Sequence, residues 1–478
     1  MGFQDDERRR LFGRSASRRT VLKGAGGASL AALGYPVFRA SGRAATLVQT
    51  PTTRDISGTS LSLLQWSHFV PTYDEWFDAF VQEWGEANGV EVGKPDHINT
   101  ADVPSTLAAE ISAGEGHDLV EHIVPLPQYE KAMLDLSDVV GEAIARHGAQ
   151  LPMAKANSFN PTTGVYYAFC HGYAPDPANY RKSLWEQVDL PDGPSTFDEL
   201  LAGGKRIKDE QGIQLGIGMS NEVDSNMAAQ AMMWAFGASI QDDKENLIIN
   251  TPETVAAVTY MSELFKATMT DEVFGWTAAS NNQLMIAGQA SYILNSISAY
   301  RTAQGAQPEV AADVFFAKPL VGAGGPERAL AHGHAVFNYM IPSHAANVDT
   351  AKEFLLHLVA NYAAATDNSQ LYNFPAYANA APDLLTEGGP LDNDPYKSDP
   401  PTKLAVLKTA ESWTVNLGWP GPANAAIGEV FSTFVLPNMM AKAARGEMSP
   451  EEAVAEAETL ARPIFEKWKA EGLIGGGQ

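Results

Sequence analysis

One cysteine, Cys170, stands in 478 residues. It excludes an intrachain disulfide and any zinc or iron–sulfur site built on a cysteine cluster. Positive charge is scarce too. The chain carries 33 Lys and Arg against 57 Asp and Glu, a formal net charge of −24. Nine of those basic residues and only three of the acidic ones lie in residues 1–44, so the remainder has 24 basic and 54 acidic residues and a charge of −30. Such a surface does not suit nucleic acid, whose phosphates need a basic face. It does not suit an anionic lipid surface either. After residue 45 no run is long and apolar enough to span a bilayer, which takes about 20 residues. G-x-S-x-G, H-E-x-x-H and P-loop motifs are absent from the sequence. No cofactor and no metal site is expected.

What is present begins at the N-terminus. Arg8, Arg9, Arg10, Arg14, Arg18 and Arg19 precede the glycine-rich apolar run Val21–Pro36. Gly24, Gly26, Gly27 and Gly34 would each cost a helix interior about 1 kcal/mol relative to Ala. A basic n-region, an apolar h-region and small residues at Gly42-Arg43-Ala44 fit an export signal over residues 1–44. Ser17-Arg18-Arg19-Thr20-Val21-Leu22-Lys23 is similar to the twin-arginine motif, with Val21 where Phe is common. No Cys follows the h-region, so no lipid anchor of the lipobox kind is expected. The mature chain is expected to be soluble and periplasmic or extracellular, and monomeric.

The remaining 430 or so residues exceed one ordinary domain. Residues 45–58 are polar, with Pro51 and Gly58, and read as a linker. "LSLLQWSHF" reads as a first strand with Leu61, Leu63 and Leu64 buried. Thr72 and Glu75 have capping-box spacing ahead of a helix that carries Trp76, Phe77, Phe80, Val81 and Trp84 and ends at Asn88-Gly89. "VEV" and "HDLVEHIV" read as strands two and three around a helix closed by Gly114. This alternation predicts a parallel, doubly wound sheet. The same grammar restarts near Tyr166, with Thr196 and Glu199 as a second capping box, a strand at "QLGIGM", a helix ending at Gly237 and a helix opened by Pro252. "NNQLMIAGQASYIL" reads as helix then strand, and "AADVFFAKPL" and "HGHAVFNYMI" read as strands. Ser449-Pro450-Glu451-Glu452 opens the last helix.

Several stretches in order carry a resemblance. "STLAAEISAGEGHDLVEHI" is similar to a helix–Gly–"PDvv" stretch, with His117 in place of Pro. "LWEQVDLPDGPSTFDELLAGGKRIKD" is similar to a "PxTWdEl" segment, with Phe197 for Trp. "NNQLMIAGQASYIL" is similar to "F..GkaAM", with Met285 for Phe. "IPSHAANVDTAKEFLLHLVA" and "ARGEMSPEEAVAEAETLARPIFEKW" complete the order. From about Leu61 to Trp468 the chain resembles the extracellular solute-binding proteins of ABC transporters, in the carbohydrate-binding, maltose-binding-type (family 1) class. The resemblance implies two doubly wound α/β lobes with a ligand cleft between them, a type II periplasmic-binding-protein-like fold. It also implies chain crossings at a hinge, closure on a sugar, and delivery to the transporter's transmembrane permease subunits. The expected division is 59–165 plus 318–372 for the first lobe and 166–317 plus 373–478 for the second.

A sugar site needs aromatic platforms and fixed polar groups in a preformed cleft. In open α/β sheets that cleft lies beyond the carboxyl ends of the strands. Trp66 and His68 end the first strand, and Glu121 ends the third. Each has a structural reading beside the functional one: packing for Trp66, a solvated carboxylate for Glu121. Tyr166 and Tyr167 sit at the first expected crossing, as hinge or cleft residues; paired tyrosines could also bind ferric iron. Trp234 lies on a helix with Met232 and Met233, where core packing competes with contact. Trp276 follows a turn in a polar loop, Asn295 and Ser296 end a strand, and Trp413 precedes "TVNLGWPGP". His332 and His334 have the i, i+2 spacing that puts two rings on one face of a strand, a weak metal signal without a third ligand.

Three functions compete. The first is a binding protein that captures a carbohydrate and delivers it to an ABC permease. The second is a binding protein for a polyol, a phosphorylated polyol or another solute, for which Arg301 is the nearby cation. The third is an exported carbohydrate-active enzyme, which would need a carboxylate pair at a set separation. A non-enzymatic role is expected.

Overall fold

The computed structural model describes residues 47–476. The expected export signal lies outside these residues. Two sheets organise the chain. Ten strands build them: β1 (Leu63–Trp66), β2 (Asp96–Ile98), β3 (Leu119–His122), β4 (Phe169–Ala174), β5 (Ala178–Arg181), β6 (Gln214–Gly216), β7 (Ala290–Leu294), β8 (Val314–Ala317), β9 (Ala335–Met340) and β10 (Phe374–Pro375).

The first sheet has the order β10-β4-β9-β3-β1-β2. Strand β1 runs parallel to β2 and β3, with Leu64 opposite both Asp96 and Val120. Strand β9 runs antiparallel to β3 and β4, with Asn338 opposite His122 and Val336 opposite Tyr173. The second sheet has the order β6-β7-β5-β8. Strands β6 and β7 are parallel, and β5 is antiparallel to β7 and β8. The expectation of parallel sheets is therefore corrected. Each sheet contains one strand, β9 or β5, that arrives from the other sheet and runs against its neighbours. Strands β4 and β10, assigned to the second lobe from the sequence, pair in the first sheet.

Helix α1 (Thr72–Asn88) shows why the first lobe packs. Its Phe77, Phe80, Val81 and Trp84 are buried. Phe77 and Trp84 meet Phe354 edge-on, and Phe80 stacks on His357, both on the helix Val348–Ala360. Gly89, at φ 67°, ends α1 in the left-handed conformation that favours glycine. The Thr72–Glu75 capping box does not form. Thr72 lies inside the helix and donates to the Asn368 carbonyl at 2.8 Å. The second box forms as expected, Thr196 and Glu199 capping Phe197–Gln211. Helices α2 (Val223–Ala235) and α3 (Pro252–Thr268) pack together with Val435–Ala444 and Pro450–Ala470, and Phe197–Gln211 packs on β6 and β7 of the second sheet.

Residues 47–58, read as a linker, lie along Val348–Ala360. Asn361 exchanges two hydrogen bonds with the Val48 backbone, at 2.7 and 3.0 Å. Arg54 donates to Glu353 at 2.9 Å. "VEV" pairs with Ser60–Leu61 outside the main sheet, whose edge is instead β2.

Gly172 in β4 makes one close approach possible. A Cβ there would lie 1.5 Å from the buried Tyr362 hydroxyl and 2.7 Å from the Phe374 carbonyl oxygen. Gly172→Ala is expected to destabilise the fold by about 1–3 kcal/mol through overpacking. Urea denaturation of the variant, compared with the parent at one pH, measures it; an unchanged midpoint would contradict the packing.

Candidate functional site

Three chain segments meet between the sheets. The first crossing, β4 to β5, is only Pro175-Asp176-Pro177. The two prolines fix φ on either side of Asp176 and so limit how its backbone can move. The second crossing returns from β8 to β9 and ends at His334. Tyr372 and Asn373 immediately precede β10, from which the chain leaves the first sheet for the last time.

These residues converge. His334 Nδ1 lies 3.5 Å from Asp176 Oδ1. Its ring meets Tyr372 edge-on at 6.4 Å and Phe69 at 6.1 Å. From the end of β1, His68 lies 5.1 Å from Tyr372, and its Nε2 is 2.9 Å from Asn373 Oδ1. Trp66 lies beneath, stacked on Phe337 with an interplanar angle of 8°. The second lobe contributes the start of α2. Glu222 caps it, accepting from the Asp224 and Ser225 backbone N–H groups at 2.6 Å each. Asp224 then faces inward, where Asn281 Nδ2 donates to it at 2.7 Å. Trp276 closes this side, its carbonyl accepting from Ser220 Oγ at 2.7 Å.

The electrostatics follow from burial. Burial opposes a charge on His334, but Asp176, Asp224 and Glu222 outweigh it and hold its pKa above the usual histidine value. Burial raises the Asp224 carboxyl above the usual range, with Asp176 adding to the rise and His334 opposing it. Burial, then Asp224 and Asp176, keeps the Tyr372 hydroxyl protonated. Burial pushes the His68 imidazole down to about 3. The site thus has neutral aromatic walls on the first lobe and carboxylates on the second lobe and the first crossing.

Of the residues singled out in the sequence, Trp66, His68 and Trp276 come to this site. Asn295 and Ser296 lie behind it, buried. The Asn295 carbonyl accepts from Asn179, and Asn281 donates to the neighbouring Leu294 carbonyl at 3.3 Å. The others go elsewhere. Glu121 is buried inside the first lobe, accepting from Gln65 at 3.1 Å and lying 2.8 Å from His171 Nε2. Tyr166 packs on Phe159 in a short hairpin, and the buried Tyr167 hydroxyl donates to the Asn157 and Ala423 carbonyls. Trp234 stacks on His332 at the far end of α2. Trp413 donates to Thr409 and lines a separate groove of about 620 Å³ with Pro194, Pro319 and Leu330. None of Asp176, His334 and Tyr372 lines that groove. Arg301 is taken up by Asp394 in a buried bidentate pair at 2.7 and 3.1 Å. His332 and His334 do not form a pair on one strand face, because strand structure breaks at Gly333 and the rings meet different partners. Among the described residues no group of three or more His, Cys, Asp or Glu is arranged to hold a metal ion.

Sequence reasoning missed Phe69, Asp176, Asp224, Asn281 and Tyr372. One signal was available: Glu222 precedes a helix shortly after "QLGIGM", which places an N-cap carboxylate at a strand's carboxyl end.

A family model described as bacterial extracellular solute-binding protein matches residues 79–404. The chain belongs to this family. Its members are extracellular and bind solutes. Among solved structures, maltose-bound MalE3 of T. maritima is 17% identical with a TM-score of 0.70, covering 85% of this chain and 100% of its own. A sugar transporter protein of Arthrobacter chlorophenolicus with bound laminaribiose is 16% identical, TM-score 0.68, with coverages of 85% and 99%. A solute-binding protein of Agrobacterium radiobacter in complex with ribitol is 18% identical, TM-score 0.68, with coverages of 86% and 100%. No curated protein matches the chain. The fold is the two-lobed α/β periplasmic-binding-protein-like fold. No helix among the described residues is long and apolar enough to cross a membrane.

The neutral, buried His68 makes stability pH-dependent. Its folded pKa of about 3 lies below the ordinary histidine value of about 6.5, so the unfolded chain takes up its proton first as pH falls. Stability from this group is complete above pH 6.5 and declines below it, by about 1.4 kcal/mol per pH unit. Asp74, whose carboxylate accepts from the His68 N–H and lies near His97, has a pKa raised to about 6 and opposes this trend. The difference between parent and His68→Gln isolates the imidazole. Between pH 6 and 5 the parent should lose about 1 kcal/mol more than the variant in urea denaturation; equal losses would mean that the ring is not held neutral.

Proposed function

We propose that the chain is an extracytoplasmic binding protein that captures a carbohydrate between its lobes by closure and delivers it to the permease of an ABC transporter. The observation that carries this reading is the convergence of aromatic rings and buried polar groups from both lobes where the chain crosses between them. Hinge closure around a solute uses such an arrangement, since the solute completes contacts that neither lobe offers alone. Family membership supports binding rather than turnover. The bound maltose, laminaribiose and ribitol of similar structures support a polyhydroxylated solute.

In this reading the fold is the type II arrangement, and the expected lobes, 59–165 plus 318–372 and 166–317 plus 373–478, are adjusted so that β4 and β10 belong to the first, with the hinge at the crossings that follow them. The protein acts as a monomer and leaves the cytoplasm folded, through the twin-arginine route. Trp66, His68 and Trp276 form the solute's apolar platform and rim. A polyol is the second reading. A phosphorylated polyol is disfavoured, because Arg301 is already neutralised by Asp394.

Thermal unfolding of the mature chain against sugars and polyols tests the function. A solute at a hundred times its dissociation constant should add about 2.7 kcal/mol to the folded state. Trp276→Ala should weaken that solute at least tenfold while leaving the unliganded midpoint nearly unchanged. A panel without any saturable shift would count against the reading. For the export route, replacing Arg18 and Arg19 together by Lys should leave the precursor in the cytoplasm; unimpaired export would exclude the twin-arginine pathway.

A further inference from the structure

Where the lobes meet, carboxylates outnumber bases. Asp176, Glu222 and Asp224 act together on the single imidazole of His334. Among the described residues, His334 is the only basic side chain within ion-pair distance of any of the three. Carboxylates this deep normally have matched cations or a full set of donors. Here they do not. Asp176 is only 5% exposed, and the one partner of its Oδ1 is His334 Nδ1 at 3.5 Å, too long for a well-formed hydrogen bond. Asp224 Oδ1, also buried, accepts none, although Asn281 serves its other oxygen. Two fully buried tyrosine hydroxyls, on Tyr372 and on Tyr292 of β7, also have no partner, and both feel the Asp176 carboxylate.

We propose that the solute carries a protonated amine and that Asp176 and Asp224 hold it, which rests on reading this cleft as the solute site. An ammonium group brings three N–H donors and no acceptor. That is the complement of two adjacent carboxylates with free lone pairs. A hydroxyl brings one donor and adds an acceptor that these oxygens cannot use. Hydrogen bonds between ionised partners are roughly twice as strong as neutral ones. Phe69 and Tyr372 stand beside His334, and Trp276 stands beside Gly218 and Glu222, so aromatic faces adjoin the carboxylates. Such faces attract cations as well as sugar rings. Burial and then Asp224 push the Glu222 carboxyl up to about 8, so the negative charge here is that of Asp176 and Asp224, which disfavours sugar acids and sugar phosphates. Within the carbohydrate reading, the solute class is therefore an amino sugar with a free amine.

Calorimetric titration of the mature chain with matched ligands tests this: glucosamine, glucose and N-acetylglucosamine; galactosamine and galactose; and spermidine as an amine without a sugar. The amine member of a pair should bind at least tenfold tighter than its hydroxyl or acetylated counterpart. Asp176→Asn and Asp224→Asn should each bring that ratio below threefold. Two variants are used so that the test survives if one fails to fold. Equal affinities within the pairs, or no binding by any amine, would overturn the proposal. A preference that persists in both variants would overturn the assignment to these residues. Binding of spermidine alone would uphold the charge argument and sink the carbohydrate reading. Binding of glucose or galactose without their amines would do the reverse.

Discussion

Carboxylates placed where water scarcely reaches must be stabilised by something nearby. At the crossing between the two sheets this condition shapes the structure. Asp176 is held between prolines in a three-residue link. Glu222 accepts from backbone N–H groups at the N-terminus of α2, while burial and Asp224 push its carboxyl up to about 8. Asp224 sits two residues on, and the three carboxylates together raise the pKa of the buried His334 imidazole that faces them. A helix N-terminus favours negative charge through its unpaired N–H groups and its dipole. The sheets, the short first crossing and the capping geometry together put these charges at one point instead of spreading them over a solvated surface.

That point is also where relative motion of the lobes must be felt. Strands β5 and β9 arrive from the opposite sheet and run antiparallel to their neighbours, so each lobe's framework continues into the other. Tyr372 of the first lobe feels the Asp224 carboxylate of the second, so the two sides are coupled across the crossing. A solute that touches both sides binds the closed arrangement more strongly than the open one. Closure is then a shift of population set by that difference in affinity.

Much of the framework was legible in the sequence because it is local. Gly89 and Gly114 end helices in left-handed conformations, and Thr196 with Glu199 caps a helix by contacts three residues apart. The identical spacing at Thr72 and Glu75 misled, because Thr72 found a partner nearly three hundred residues away. Strand direction also escaped. Periodicity reports burial but not whether a neighbour runs parallel, and that depends on where the chain comes from. Of the residues where the lobes meet, Trp66 and His68 had been placed by the rule about strand ends, and Trp276 by its polar loop. Glu121 satisfied the same rule, yet it turned into the first lobe toward Gln65 and His171.

The sequence by itself determined the acid excess, the basic and glycine-rich apolar pattern near the N-terminus, most helix ends and the alternation that makes an α/β protein. These are properties of composition and of residues a few positions apart. Only the tertiary structure decided which carboxylates among 57 acidic residues share a buried site. Asp176, Asp224 and His334 are separated by dozens of residues or more, and nothing in their local contexts links them. Their meeting comes from three crossings between two sheets, which close the long loops of chain that bring distant charges together.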